Sequence, residues 1–200
     1  PPWEIKAEAS ARSGSPLIGC PGPGGAGAEF IVTAEPGQPE GGSAAMPKRR
    51  DEIRMSEADF WAFVESQKTV QVATLGPDGA PHLMPLWFAL DQGAIVLETF
   101  SKSQKVKNLE RDPRISLLFE DGNEYAKLRG ASVSARAELV QDDVERVHAL
   151  HMRVLLRNTP EIPEEVLEKA SRDMAPKKTA ILIRPEKIVS WDHSKLGGIY

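Results

Sequence analysis

Eleven consecutive residues, Thr99-Phe100-Ser101-Lys102-Ser103-Gln104-Lys105-Val106-Lys107-Asn108-Leu109, place three hydroxyls and three ammonium groups where a strand gives way to a helix. A helix N-terminus carries about half a positive charge and free backbone N–H groups, so its first turn normally holds Asp or Glu. Here no carboxylate occurs between Thr99 and Glu110. Each cation so placed costs on the order of 0.3–1 kcal/mol unless something neutralises it, and a bound anion reverses the sign. The chemistry predicted is capture of a phosphate by backbone N–H groups, by the hydroxyls of Thr99, Ser101 and Ser103, and by Lys102 and Lys105. A solvated basic helix is the alternative reading of the same residues.

Few other residues invite chemistry. His82, after Pro81 near a strand start, offers a ring nitrogen to a ligand or to its own strand end. Trp87 and Phe88 offer aromatic surface to a flat ligand or to the core. Trp191 opens a polar-aromatic stretch to Tyr200 that reads by itself as a frayed terminus. No nucleophile–base order, paired-carboxylate motif or metal-ligand spacing stands out, a pattern that fits redox chemistry carried by a bound cofactor.

The elements that must position these residues are legible from period and punctuation. Ser56-Glu57-Ala58-Asp59 predicts a helix N-cap with an acidic first turn, and Phe60, Phe63 and Val64 share one face behind it. Thr69 to Leu75 and Leu83 to Leu90 predict strands joined by the turn Gly76-Pro77-Asp78-Gly79, and Asp91-Gln92-Gly93 turns the chain into a third strand, Ala94 to Phe100. Pro81 and Pro85 lack N–H groups, so the second strand is expected at a sheet edge or kinked. Ser103 to Arg111 predicts a short helix stopped by Asp112-Pro113. Strands follow at Arg114 to Glu120 and Leu128 to Val140, helices at Gln141 to Arg157 and Pro163 to Asp173, then strands at Thr179 to Ile183 and Lys187 to Trp191. Too few helices separate the strands for a doubly wound parallel sheet. The predicted class is mainly β (α+β), a six-stranded antiparallel barrel with short peripheral helices.

The chain of 200 residues has 25 Lys and Arg against 29 Asp and Glu, a net charge of −4 and a mean hydropathy of −0.34. That balance argues against a nucleic-acid partner, and the basic stretch lacks an interleaved aromatic platform. No run approaches the roughly 18 apolar residues of a membrane span, so no membrane partner is expected. The lone cysteine, Cys20, excludes an intramolecular disulfide and a thiolate metal cluster within this sequence and suits a reducing cytoplasm. Residues 1–45 hold 16 of the 32 glycines and prolines without a sustained period, and are expected to form a disordered tail or extension to a domain at 46–200, with Met46 a candidate natural start. Leu17-Ile18-Gly19-Cys20 has the form of a lipoprotein cleavage box, but Glu8, Arg12, Gly14 and three serines precede it where an apolar stretch is required. From residue 46 onward 23 basic residues meet 24 acidic ones, so an anion site has to be local.

Taken in order, Arg54-Met55-Ser56, Ala73-Thr74-Leu75-Gly76-Pro77-Asp78-Gly79, Pro81-His82-Leu83, Pro85-Leu86-Trp87-Phe88, Ser101 to Leu109, Arg111-Asp112-Pro113-Arg114 and the stretch from Ser190 through Trp191 to Tyr200 resemble the pyridoxamine 5'-phosphate oxidase-like split-barrel family. Within it the chain is most similar to the branch of flavin- or deazaflavin-dependent oxidoreductases, many of which use coenzyme F420. The resemblance implies a homodimer of six-stranded split barrels, with two cofactor sites at the subunit interface and the cofactor phosphate held after the third strand. Thr99, Ser103 and Lys105 match the threonine, serine and lysine with which the oxidase holds its flavin phosphate, and Lys102 and Ser101 stand beside them. His82 and Trp87 fall near the expected ring, and the stretch from Trp191 packs near the cofactor or across the dimer. Gln104 stands where the oxidase has arginine, and the oxidase's C-terminal substrate-binding arginine motif is missing, so vitamin B6 chemistry is not implied. The implied function is a cytoplasmic oxidoreductase in which bound deazaflavin (F420) passes a hydride to a small organic substrate, with flavin mononucleotide (FMN) as the alternative cofactor. Non-catalytic binding of flavin, haem or tetrapyrrole is the other reading; an iron-ligated haem would draw its ligand from His82, His148, His151 or His193.

Overall fold

The computed structural model describes residues 49–197. The tail predicted at 1–45 with Cys20, the candidate start at Met46, and Gly198, Ile199 and Tyr200 lie outside the described residues.

A single helical turn, α1 (Arg49–Glu52), precedes α2 (Glu57–Ser66), whose cap is the predicted one. Ser56 Oγ accepts from the Asp59 N–H at 3.1 Å, and the Asp59 carboxylate accepts from the Ser56 N–H at 3.3 Å, which satisfies two otherwise free donors. Seven strands and three further helices follow: β1 (Thr69–Leu75), β2 (Pro81–Asp91), β3 (Ala94–Phe100), α3 (Gln104–Arg111), β4 (Arg114–Asp121), β5 (Arg129–Val140), α4 (Val144–Asn158), α5 (Glu164–Met174), β6 (Lys178–Ile183) and β7 (Lys187–Asp192). The strands run in the order β4-β1-β2-β3-β6-β5 and β5 pairs back onto β4, so six antiparallel strands close a barrel; β7 adds to β5 outside that ring. The mainly-β barrel expected from the sequence is therefore the fold.

Two local features explain its shape. Gln92 and Gly93 both have positive φ, 47° and 75°, which is the backbone that a two-residue hairpin between twisted strands requires. β2 is continuous through its prolines, and at both of them it has an open edge, as their missing N–H groups lead one to expect. It pairs with β1 from Pro81 to Trp87 and with β3 only from Phe88 to Asp91. Pro81 and Pro85 share one parity, so both bare nitrogens face the side that β3 has left, where no donor is needed. This divergence of β2 from β3 is the split in the barrel.

The inner rows of the strands, with Phe60, Phe63 and Val64 of α2 across one mouth, form the main core, in which Phe88 meets Phe119 edge-on at 5.2 Å. A second core lies outside β3 and β6, where Val96, Ala180 and Leu182 pack against Val147, Leu150 and Val154 of α4. α4 starts three residues later than the sequence pattern predicts because Asp143, rather than a residue before it, accepts from the Arg146 N–H at 2.9 Å. Among the described residues no helix is long and apolar enough to cross a membrane.

Candidate cofactor site

β3 delivers its end to the site by strand alternation. Ile95 and Leu97 enter the barrel core, Val96 faces α4, and Thr99 ends the inner row, 8% exposed. The chain then turns sharply: Ser101 N–H donates to the Lys177 carbonyl at 3.0 Å and Ser103 N–H to the Phe100 carbonyl at 2.9 Å. Ser103 caps α3, accepting from the Val106 N–H at 3.5 Å and from Thr99 Oγ1 at 3.4 Å. Both contacts are long for their type and leave the Ser103 hydroxyl loosely engaged. Ser101 Oγ accepts from Thr179 Oγ1 at 3.0 Å, which leaves its own proton to donate. The first turn of α3 holds no acidic residue.

Lys105 is the residue that the turn most needs explained. It is 9% exposed, and among the described residues its ammonium has no hydrogen-bond or ion-pair partner. Burial pushes its pKa below the ordinary lysine value, and the charge of Glu98 opposes that shift without reversing it. Lys102 and Lys107 stay exposed. A charge on a mostly buried residue with no protein partner is poorly compensated, and an anion at the helix N-terminus supplies the missing partner while meeting free N–H groups and hydroxyls.

Asn108 fixes the helix in place, and its type and spacing gave no warning of that role. Fully buried, it donates through Nδ2 to Thr74 Oγ1 of β1 at 3.0 Å, and its Oδ1 accepts from Gln104 Nε2 at 2.8 Å and Arg111 Nη2 at 3.4 Å. Arg111 also donates to the Leu75 carbonyl. Gln104 is thus turned along the helix.

Where β2 leaves β3 a pocket of about 390 Å³ opens, lined by Thr69, Pro85, Leu86, Trp87 and Glu98. Trp87 is 46% exposed there, whereas Phe88 is core, with the Arg157 guanidinium 4.1 Å from its ring centroid. Glu98, which the sequence reading passed over, holds Oε2 at 2.8 Å from Lys178 Nζ, and that ammonium lies 4.2 Å from the Phe100 ring centroid. His82 pairs across from Thr74, at the barrel end occupied by α3, and its Nδ1 is buried without a hydrogen-bond partner.

Trp191 does not join this group within one chain. It pairs with Gly130, and its ring covers that glycine so closely that a Cβ would lie 2.1 Å from Cζ2. Ten residues further along β5, Val140 pairs with Ala180, next to the Thr179 that pairs with Thr99, which puts about 33 Å of strand between Trp191 and the cradle. The stretch that begins there is docked rather than frayed up to Gly197: Lys195 Nζ donates to the Arg54 carbonyl at 2.9 Å, and His193 Nδ1 lies 3.0 Å from the Tyr125 carbonyl. His148 and His151 are buried between α4 and α5. The structure therefore assembles Thr99, Ser101, Lys102, Ser103 and Lys105, with His82 and Trp87 on the flanks.

Comparison with known proteins meets this geometry at the level of family. The family profile described as pyridoxamine 5'-phosphate oxidase matches residues 57–192. The chain belongs to the pyridoxamine 5'-phosphate oxidase family. A solved relative in sequence is the conserved hypothetical protein Rv2991 from Mycobacterium tuberculosis, 43% identical over 77% of this chain and 95% of that one, with a TM-score of 0.70. A protein named F420 reductase (23% identity, 64% of this chain and 93% of that one, TM-score 0.51) shares the family fold. So does HutZ, the haem storage protein of Vibrio cholerae (19%, 67% and 94%, 0.53). No curated protein matches the chain.

Proposed function

We propose that the chain binds a phosphate-bearing cofactor of the flavin type at the β3–α3 junction and works as an oxidoreductase, with coenzyme F420 as the cofactor and a small organic molecule as hydride acceptor. The observation that carries this reading is the partnerless ammonium of Lys105, a residue only 9% exposed, at an acid-free helix start. The neighbouring F420 reductase supports the choice of F420. Lys105, Ser103, Ser101 and Thr99 would hold the phosphate, and Lys102 would add charge at the rim. Trp87 would orient the ring from the pocket wall and keep water off one face. His82 would offer its unpaired Nδ1 as a hydrogen-bonding group. Bound deazaflavin supplies the hydride chemistry, and the protein supplies anchoring and orientation. In this reading the protein acts in the cytoplasm.

A homodimer belongs to the same reading. Leu83, Ala73, Ser116 and Ser134 form one cross-strand row, and Pro85, Gln71, Leu118 and Ser132 the next, on the outer face of β2, β1, β4 and β5. Small residues flanked by exposed Leu83 (60%) and Leu118 (38%) suit close apposition of a second copy. A copy related by a two-fold axis would bring its own Trp191 toward the first chain's cofactor.

Fluorescence titration of the full chain with F420 and with FMN, paired with light scattering, tests these points. Binding of F420 and a mass of two chains are expected. Binding of FMN alone would move the assignment to the flavin, and failure of both cofactors to bind would overturn it.

A further inference from the structure

Behind the cradle runs a row of titratable groups that phosphate holding does not use. Glu98 of β3 faces Lys178 of β6 at 2.8 Å and lies in the field of Lys105 of α3 and of His151 of α4. His151 is 5% exposed. Its Nδ1 lies 3.1 Å from the Ser171 hydroxyl of α5, which His148 Nδ1 approaches at 2.8 Å, and His148 Nε2 reaches the Glu168 carboxylate at 3.1 Å. Ser171 is fully buried, whereas the Glu168 side chain is 41% exposed, so the row runs from the surface into the seam beneath α4, and Glu98 lies on the α4-facing side of β3, two residues beyond Val96. The Ser171 hydroxyl also reaches the His148 carbonyl at 3.4 Å, so it either accepts from both rings while donating there or donates to one ring while accepting from the other, and its rotation exchanges these roles.

Charge counting ties this row to the cradle. Without a ligand, one carboxylate (Glu98) faces two ammoniums (Lys105 and Lys178), so the neighbourhood already carries one positive charge and resists another. Burial holds the His151 pKa below the ordinary histidine value; Glu98 pulls it up, and Lys178 and His148 push it down. A doubly charged anion on Lys105, such as sulfate or the phosphate monoester of FMN, turns the local balance to one negative charge, which a proton on His151 neutralises. We infer that anion capture at the β3–α3 junction is coupled to uptake of one proton by His151, exchanged with solvent along Ser171, His148 and Glu168. The step is a protonation alone: a solvent proton reaches the imidazole and no electrons move. The inference rests on the cradle being an anion site.

Sulfate is the probe, because its charge is constant between about pH 5 and about pH 8, where histidine titrates. The histidine ring resonances of the full chain are followed by NMR with and without sulfate, with chloride holding the ionic strength constant. The titration midpoint of His151 is expected to rise by about half a pH unit or more on sulfate binding. Sulfate affinity is expected to weaken as pH rises through the two midpoints, by about threefold in all for a half-unit shift and about tenfold for a full unit. Perturbed α3 resonances with an unmoved His151 midpoint would overturn the coupling while leaving the anion site standing. No response of α3 to sulfate would overturn the site, and the coupling with it. His151→Gln is expected to abolish the pH dependence of sulfate affinity. Glu98→Gln, which keeps the histidine, is expected to lower its midpoint in both states; a hydrogen-bonded clasp that served only to join α4 and α5 would leave both measurements unchanged.

Discussion

Replacing Lys105 with methionine separates the anion reading from a structural one, because the two predict opposite signs. Methionine keeps most of the apolar stem and deletes only the charge. In the free protein that residue is 9% exposed and its charge has no hydrogen-bonding partner among the described residues, so its removal is expected to leave thermal stability unchanged or raise it. The pH dependence points the same way. Lys105 titrates below its ordinary value in the fold; below that depressed value the charged form weakens folding, and the weakening is relieved as pH rises toward the unfolded value near 10.4. Lys105→Met should therefore remove a rise in stability on the alkaline side. Binding behaves in the reverse sense. A charged hydrogen bond contributes about 1.5–3 kcal/mol, so the affinity for F420 or FMN should fall roughly ten- to 150-fold. The assays are a melting curve of the free chain across alkaline pH and a fluorescence titration of each cofactor. A variant that melts lower yet binds equally well would refute the reasoning, since Lys105 would then hold the fold and not a ligand.

Three further outcomes are expected. Asn108→Ala strands the Thr74 hydroxyl and unpins α3, at a cost of about 1–3 kcal/mol in urea unfolding and with weaker cofactor binding, because Asn108 is fully buried and bonded to Thr74, Gln104 and Arg111. Gly130→Ala puts a methyl 2.1 Å from the Trp191 ring; the indole has to move, which costs about 1–3 kcal/mol and changes the near-ultraviolet circular dichroism, while the cradle of the same chain is untouched. Asp112 is held down to about 2 by hydrogen bonds from Arg114. The stability this gives is complete above the ordinary carboxylate range and is lost as pH falls toward the depressed value, so Asp112→Asn should flatten that part of the acid-unfolding curve.

The barrel was legible because its signals are local. Gly76 to Gly79 and Gln92-Gly93 set turns within a few residues, and alternation along β1 and β4 names the inner row. The start of β2 was misplaced by two residues for a physical reason. Proline does demote a strand that needs donors on both sides, but here one side has lost its neighbour, a tertiary fact that only the register reveals.

The site divides along the same line between local and long-range signals. Lys105 was readable because the absence of acids in a helix's first turn is a sequence observation with its own electrostatic sign. Glu98 was not, since its partner Lys178 arrives about eighty residues later on β6 and the pocket it lines exists only where β2 and β3 part. His148 and His151 look like ordinary positions on an amphipathic helix until Ser171 comes in from α5. Trp191 makes the converse point: its motif was recognisable, yet about 33 Å of β5 separates it from the cradle. A residue whose type suits a flat ligand, held so far from that ligand's phosphate anchor, fits one site only if two chains build it. The proposed dimer and the proposed cofactor site thus stand on one geometric argument, and a chain that stayed monomeric while binding cofactor would leave Trp191 with no role beyond covering Gly130.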